Sequence, residues 1–253
     1  MVKLRGTPLD APLYQIDTDR GVEYWNCRAV MAAFSIGEDV SDLVPSGLHV
    51  PDTPLGVVFI ADYGASTLGP YAEFVSLIQV VDDEGEQGMY IPYIYVTNDS
   101  AMAAGRELLG APKKLAEISL SAELDVVSGS ISRPAGTPLA TVVVSPVDRL
   151  DPGLMEMVLP EGTPFYSLRY LPAPPGGAEV NELVKWNSDL ALHEDSFGDP
   201  LAFSGPGSLT YPSCSAVDPV HRLKVKSTIA TMYVEFDLRL RTGEVVRTGP
   251  ALS

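Results

Sequence analysis

The sequence predicts a mainly β protein: one domain of mostly antiparallel strands with a few short helices. Three observations lead there. The 253 residues include 22 prolines and 22 glycines, which suits strands and turns better than a helix bundle. The apolar residues fall in short runs, rich in β-branched and aromatic side chains and bounded by turn-forming residues. No internal repeat and no linker-like shift in composition divides the chain. A single domain over 1–253 follows, long enough to bury a sizeable core without staples.

Taken in order, residues 1–20 read as an irregular arm. Strand-like runs follow at Glu23–Ser35, Gly56–Ala61, Tyr71–Val80 and Met89–Val96. A short helix is expected at Asp39–Leu43, just before Pro45, and the acidic, glycine-bearing Asp82–Gly88 reads as an exposed hairpin turn. Asn98, Asp99 and Ser100 offer side-chain oxygens for a helix N-terminus, and Ala101 to Leu109 are helix formers interrupted only by Gly105. Gly110 sits where that helix should end, and Pro112 blocks its continuation. Further strands are expected at Ile118–Val127, Leu139–Val144, Phe165–Leu171, Glu182–His193 and Leu223–Leu240. Leu171–Gly177 and Phe197–Pro212 read as proline-rich loops.

Composition narrows the function. The net charge of −16 makes nucleic acid and anionic membrane surfaces poor partners. An anionic small molecule stays open, because cations inside a pocket can outweigh the global field. The two cysteines, Cys27 and Cys214, indicate neither a disulfide framework nor a clustered metal site. His49, His193 and His221 have no metal-like spacing, so no metal is expected. Met1–Asp17 lacks a continuous apolar core of signal-peptide type, and no run reaches membrane-spanning length; a soluble, cytoplasmic protein is the expectation.

Lys113 and Lys114 stand just past the predicted helix stop. Adjacent lysines are ordinarily solvated, and cations after a helix are favourable. The alternative is an amine nucleophile. A lysine attacks a ketone only as the neutral amine. For an unperturbed side chain, which titrates at about 10.4, that is about one molecule in a few thousand at pH 7. Apolar burial or a neighbouring ammonium raises the neutral fraction.

Gly105–Leu115, GRELLGAPKKL, resembles the Gly-Arg-Glu…Pro-Lys-Lys-Leu signature of the acetoacetate decarboxylase family. That family is itself the established example of a lysine activated by a cationic neighbour. YIYVTNDSAMAAGREL is similar to the strand, polar turn and helix that precede the signature. Asn26–Pro45, Leu68–Phe74 and Asp218–Leu240 resemble further segments, in order, so the likeness spans nearly the whole chain. It implies a closed, cone-like or barrel-like antiparallel β architecture, homo-oligomers, a keto acid substrate and no cofactor. It also implies that Lys113 forms the Schiff base and that Lys114 is the charged neighbour. Adjacent strand residues point to opposite faces, so the two amines need not touch.

Arg28, set in the apolar run WNCRAVMAAF, is read as a clamp for a substrate carboxylate or as a structural ion pair. Glu73, in GPYAEF, is implied by the resemblance to be an active-site carboxylate; otherwise it is an exposed strand residue. Tyr233 is a candidate hydroxyl donor or a core tyrosine. Decarboxylases of this family carry a second glutamate in the strand before Leu68–Phe74. Ungapped counting places Val58 there, which suggests a more apolar pocket and raises the prospect of aldol condensation and dehydration, or cyclisation, through the same imine. A binding protein that leaves Lys113 charged is the reading of a different class.

Overall fold

The computed structural model describes residues 21–174 and 176–249. The proposed arm, residues 1–20, lies outside them. In chain order the strands are β1 (Val22–Ile36), β2 (Leu48–His49), β3 (Leu55–Ser66), β4 (Tyr71–Asp82), β5 (Gln87–Val96), β6 (Lys113–Leu115), β7 (Glu117–Glu123), β8 (Val126–Ser132) and β9 (Pro138–Val144). They continue as β10 (Asp148–Arg149), β11 (Phe165–Pro172), β12 (Ala178–Trp186), β13 (Ser188–Leu192), β14 (Ala202–Ser204), β15 (Gly207–Thr210), β16 (Val225–Leu240) and β17 (Glu244–Thr248). Among the described residues, two α-helices, α1 (Asp99–Ala104) and α2 (Pro152–Val158), complete the set with short turns.

The strands form two sheets. The larger runs β10-β14-β16-β1-β3-β4-β5-β11-β12-β17, and the smaller runs β15-β9-β8-β7. Long antiparallel ladders join β16, β1, β3, β4 and β5, while β6 adds to β5 in parallel. The expected closed barrel is corrected here: the strand path has two ends. The circuit is completed by covalent chain instead of a ladder. β12 pairs with β11 at one side of the sheet, and after the single residue Asn187 the chain re-enters as β13 along β16 at the other. That corner also splits the predicted strand Glu182–His193 in two.

Alternation along the strands gives the large sheet two apolar faces. One face packs Ala29, Met31, Val57, Ala61, Val75, Leu77, Val234 and Phe236 into the interior of the ring. The other packs Val30, Phe34, Val58, Ile60 and Phe74 against the smaller sheet through Ile131, Leu139 and Val142. A bulge between Tyr24 and Cys27, where Asn26 takes a φ of 54°, brings both flanking side chains into the inner cluster despite their odd spacing.

Other differences have local causes. Predicted strand Ile118–Val127 is a hairpin, turning at Leu124, whose φ is 55° and whose side chain is fully exposed. The predicted loop Phe197–Pro212 contains β14 and β15, three and four residues long, too short for a periodic signal. The predicted helix over Ala101–Leu109 is α1, capped by Asn98, followed by a π-helical turn, Gly105–Leu109, that ends at left-handed Gly110. No helix among the described residues is long and apolar enough to cross a membrane.

Candidate active site

β6 is three residues long, yet it fixes the site. Lys113 stands opposite Ile94, and Lys114 opposite Tyr95, in a parallel pairing with β5. Alternation then sends the two amines to opposite faces of the sheet. The Lys113 stem runs inward beneath the π-helical turn. A Cβ on Gly105 would lie 2.5 Å from both Cδ and Cε of Lys113, so only glycine leaves room for that stem. Arg106, in the same turn, donates from Nη1 to the Lys113 carbonyl at 3.3 Å and ties helix to strand.

Inside, Lys113 Nζ donates to Glu73 Oε2 at 2.6 Å, with the two side chains 6% and 7% exposed. Glu73 reaches this point because β4 pairs with β3 on one side and β5 on the other. The row Ala29, Ala61, Glu73, Val96 crosses four strands, so the carboxylate's neighbours in the row are two alanines and a valine. Its second oxygen, Oε1, accepts from Tyr63 Oη at 3.0 Å. Tyr71 donates to Tyr24 Oη at 3.0 Å, and its ring centroid lies 5.6 Å from the Lys113 amine. The three tyrosine rings pack together, Tyr63 in contact with both others. Burial first, and the Glu73 carboxylate second, push the Tyr63 phenol well above its ordinary range; burial and the neighbouring phenol do so for Tyr71. These hydroxyls therefore remain protonated donors at any physiological pH.

The pair sits in the wall of a cavity of about 80 Å³. Its other walls include Met31, Phe59, Leu77, Ile91, Phe165 and Trp186. On the other side of the Lys113 stem lies a second space of about 240 Å³, where Tyr24, Arg169 and Arg241 contribute to the wall. A carboxylate at 2.6 Å can take a proton from the ammonium and return it, and water-poor walls strengthen every charge interaction between them.

The other sequence-singled residues lie elsewhere. Lys114 donates to Asp218 Oδ1 at 2.8 Å and to the Val217 carbonyl at 2.7 Å, on the side of the smaller sheet. Asp218 also accepts from Arg133 and Tyr95, which makes it a buried anchor for three segments. Arg28 binds Asp62 at 3.0 Å, on the face of β1 opposite Ala29, and its side chain is 42% exposed. Tyr233 donates to Glu235 at 2.8 Å on that same outer face, and Val58 is buried in the outer core cluster. The structure thus brings Lys113 and Glu73 together and leaves Lys114, Arg28, Tyr233 and Val58 outside the cavity. Val57 and Phe59, either side of Val58, face inward by alternation, as do Ala61 and Tyr63 further along β3. Tyr63 and Tyr24 went unread in the sequence. The signal existed: alternation from Phe59 through Ala61 reaches Tyr63, but the predicted strand stops at Ala61.

A profile of the acetoacetate decarboxylase (ADC) family matches residues 7–248. The chain belongs to the acetoacetate decarboxylase family. Among curated relatives, a decarboxylase of Cochliobolus heterostrophus is 28% identical over 90% of this chain and 88% of its own. The acetoacetate decarboxylase of Acidiphilium cryptum is 30% identical over 81% of this chain and 79% of its own. A solved acetoacetate decarboxylase structure superposes with a TM-score of 0.84 at 26% identity, covering 98% of this chain and 97% of that one. The acetoacetate decarboxylase fold is therefore what holds Lys113 against Glu73.

Proposed function

We propose that this chain is a Schiff-base decarboxylase of 3-oxo acids, with Lys113 as the nucleophile and Glu73 as its proton partner. The observation that carries the reading is the buried contact of 2.6 Å between Lys113 Nζ and Glu73 Oε2 in the wall of an apolar cavity. Family membership supports it.

The chemistry follows from these groups. Glu73 takes a proton from the Lys113 ammonium, and the free amine adds to the substrate ketone. Loss of water gives a protonated imine, whose positive nitrogen accepts the electron pair of the breaking carbon–carbon bond. Carbon dioxide leaves, and an enamine remains. Protonation at carbon and hydrolysis return the ketone product and the amine. The lysine supplies the electron sink, so the scheme calls on no cofactor. Tyr63 holds Glu73 by its free oxygen and keeps Oε2 aimed at the amine. Arg28 is paired with Asp62 outside the cavity, so binding here uses desolvation in place of the expected clamp. An apolar wall disfavours the carboxylate and is indifferent to carbon dioxide.

Incubation with acetoacetate and borohydride, followed by intact mass, tests the reading. A reduced adduct on Lys113, lost in Lys113→Ala, together with release of carbon dioxide is the expected result. An adduct formed without carbon dioxide release would point instead to aldol-type use of the same imine. A Lys113→Ala variant that still decarboxylates would refute the scheme.

A further inference from the structure

We infer that the cavity is built for the alkyl arm of a medium-chain 3-oxo acid, with about five to seven carbons beyond the ketone; this rests on the Lys113 reading above. The first argument is length. Lys113 stands opposite Ile94 on β5, and Phe165 stands opposite Met89 on the same strand. Five residues of strand at about 3.3 Å each separate the two levels by roughly 17 Å. Ile94, Ile91 and Phe165 all line the one cavity, as do Glu73, Val75 and Leu77 along β4. The space therefore runs from the amine down the sheet to a floor.

The second argument is the floor. Phe165 and Trp186 stack with centroids 4.7 Å apart. The polar atom of Trp186 is used up, since Nε1 donates to Ser167 Oγ at 3.1 Å. Ser167 in turn donates to the Leu109 carbonyl at 2.5 Å. The floor is thereby left to aromatic carbon. Away from Lys113, Glu73 and Tyr63, Ser188 is the one lining residue with a polar side chain besides Trp186 among the described residues. The third argument is volume. At 10–15 Å³ per water, about 80 Å³ holds roughly five to eight waters, and a similar number of methylenes. The methyl group of acetoacetate leaves most of that lining without contact partners.

The reaction balances as R–CO–CH2–CO2⁻ plus a proton giving R–CO–CH3 plus carbon dioxide. The bond between the methylene and the carboxylate carbon breaks. Its electron pair passes to the Lys113 imine, and the proton goes to the former methylene.

The test measures kcat/KM of the wild-type protein for 3-oxobutanoate, 3-oxohexanoate, 3-oxooctanoate and 3-oxodecanoate. Borohydride trapping with acetone, 2-pentanone, 2-heptanone and 2-nonanone runs in parallel. The expected rise is about fourfold per added methylene up to the eight- or ten-carbon acid. Leu77→Phe, which fills the cavity partway down, should move the optimum to a shorter arm. Ketone adducts on Lys113 combined with a flat or falling series would overturn the chain-length inference and leave the imine reading standing. No adduct with any ketone would overturn both.

Discussion

Gly105→Ala separates a helix-propensity effect from a site effect. Gly105 has φ −62° and ψ −43°, ordinary helical values that alanine adopts without strain. On propensity alone the change should stabilise the protein by about 0.8–1.0 kcal/mol. The new Cβ, however, would stand 2.5 Å from Cδ and Cε of Lys113, where ordinary contacts begin at 3.4 Å. The stem must move by about 0.9 Å, the difference between those distances, and the amine shifts relative to Glu73. Overpacking of this kind costs about 1–3 kcal/mol, so the net change should run from near zero to about 2 kcal/mol of destabilisation. Misplacement of a reacting group by about 1 Å costs on the order of 10²-fold in rate. Thermal unfolding, kcat/KM for decarboxylation and the rate of borohydride-trapped adduct formation are the measurements. A variant that gains about 1 kcal/mol and keeps wild-type kcat/KM would refute the claim that the glycine exists for the lysine.

Glu73→Gln preserves shape but removes the proton partner; kcat/KM should fall by roughly 10²- to 10⁴-fold. Because a buried pair loses one charge, stability should fall by roughly 3–5 kcal/mol, seen as a Tm drop of about 10 °C. Lys114→Gln should leave the acid limb of the kcat/KM–pH profile in place, since that ammonium faces Asp218 and not the cavity. Displacement of the limb by about one pH unit would mean that its field reaches the nucleophile. Burial pushes the Asp218 carboxyl up, but Lys114, Tyr95 and Arg133 together outweigh it and hold the group below the usual carboxylate range. A depressed folded value gives stability that is present above the unfolded value of about 3.9 and lost as pH falls through the folded one. Wild type should therefore exceed Asp218→Asn in stability at neutral pH, with the gap closing below about pH 4. A gap that is constant from about pH 7 to about pH 3 would contradict the pairing.

Much of the fold was legible because its evidence is local. β1, β4, β5 and β16 announce themselves as apolar runs rich in β-branched and aromatic residues, and Asn98, Gly110 and Pro112 mark the helix and its stop. Lys113 and Glu73 were singled out by the family resemblance; strand alternation left open that Lys114 points the other way, and its amine lies on the far side, against Asp218. What failed were inferences about facing. Arg28 and Val58 lie one residue out of phase with the inward positions Ala29 and Phe59, and a one-residue offset reverses a side chain's face. Tyr233 fails in the same way beside Val234. A linear count carries no phase until the inner face is known. The corner at Asn187 and the turn at Leu124 were also out of reach, because neither uses the glycine or proline that usually marks a break.

The ladder between β1 and β16 has a kinetic consequence. Val22 pairs with Leu240 and Ile36 with Val225, so one wall of the ring is sewn from segments that the ribosome makes at widely separated times. Contacts of such sequence separation are slow to form, because loop closure precedes any gain. Glu73 and Lys113 emerge long before Val234, Phe236, Leu238 and Leu240, which close the cavity around them. Until that late strand docks, the nascent chain carries the Lys113 amine without its hydrocarbon enclosure. Catalytic competence should consequently appear in one step, at the docking of β16, and not grow with chain length.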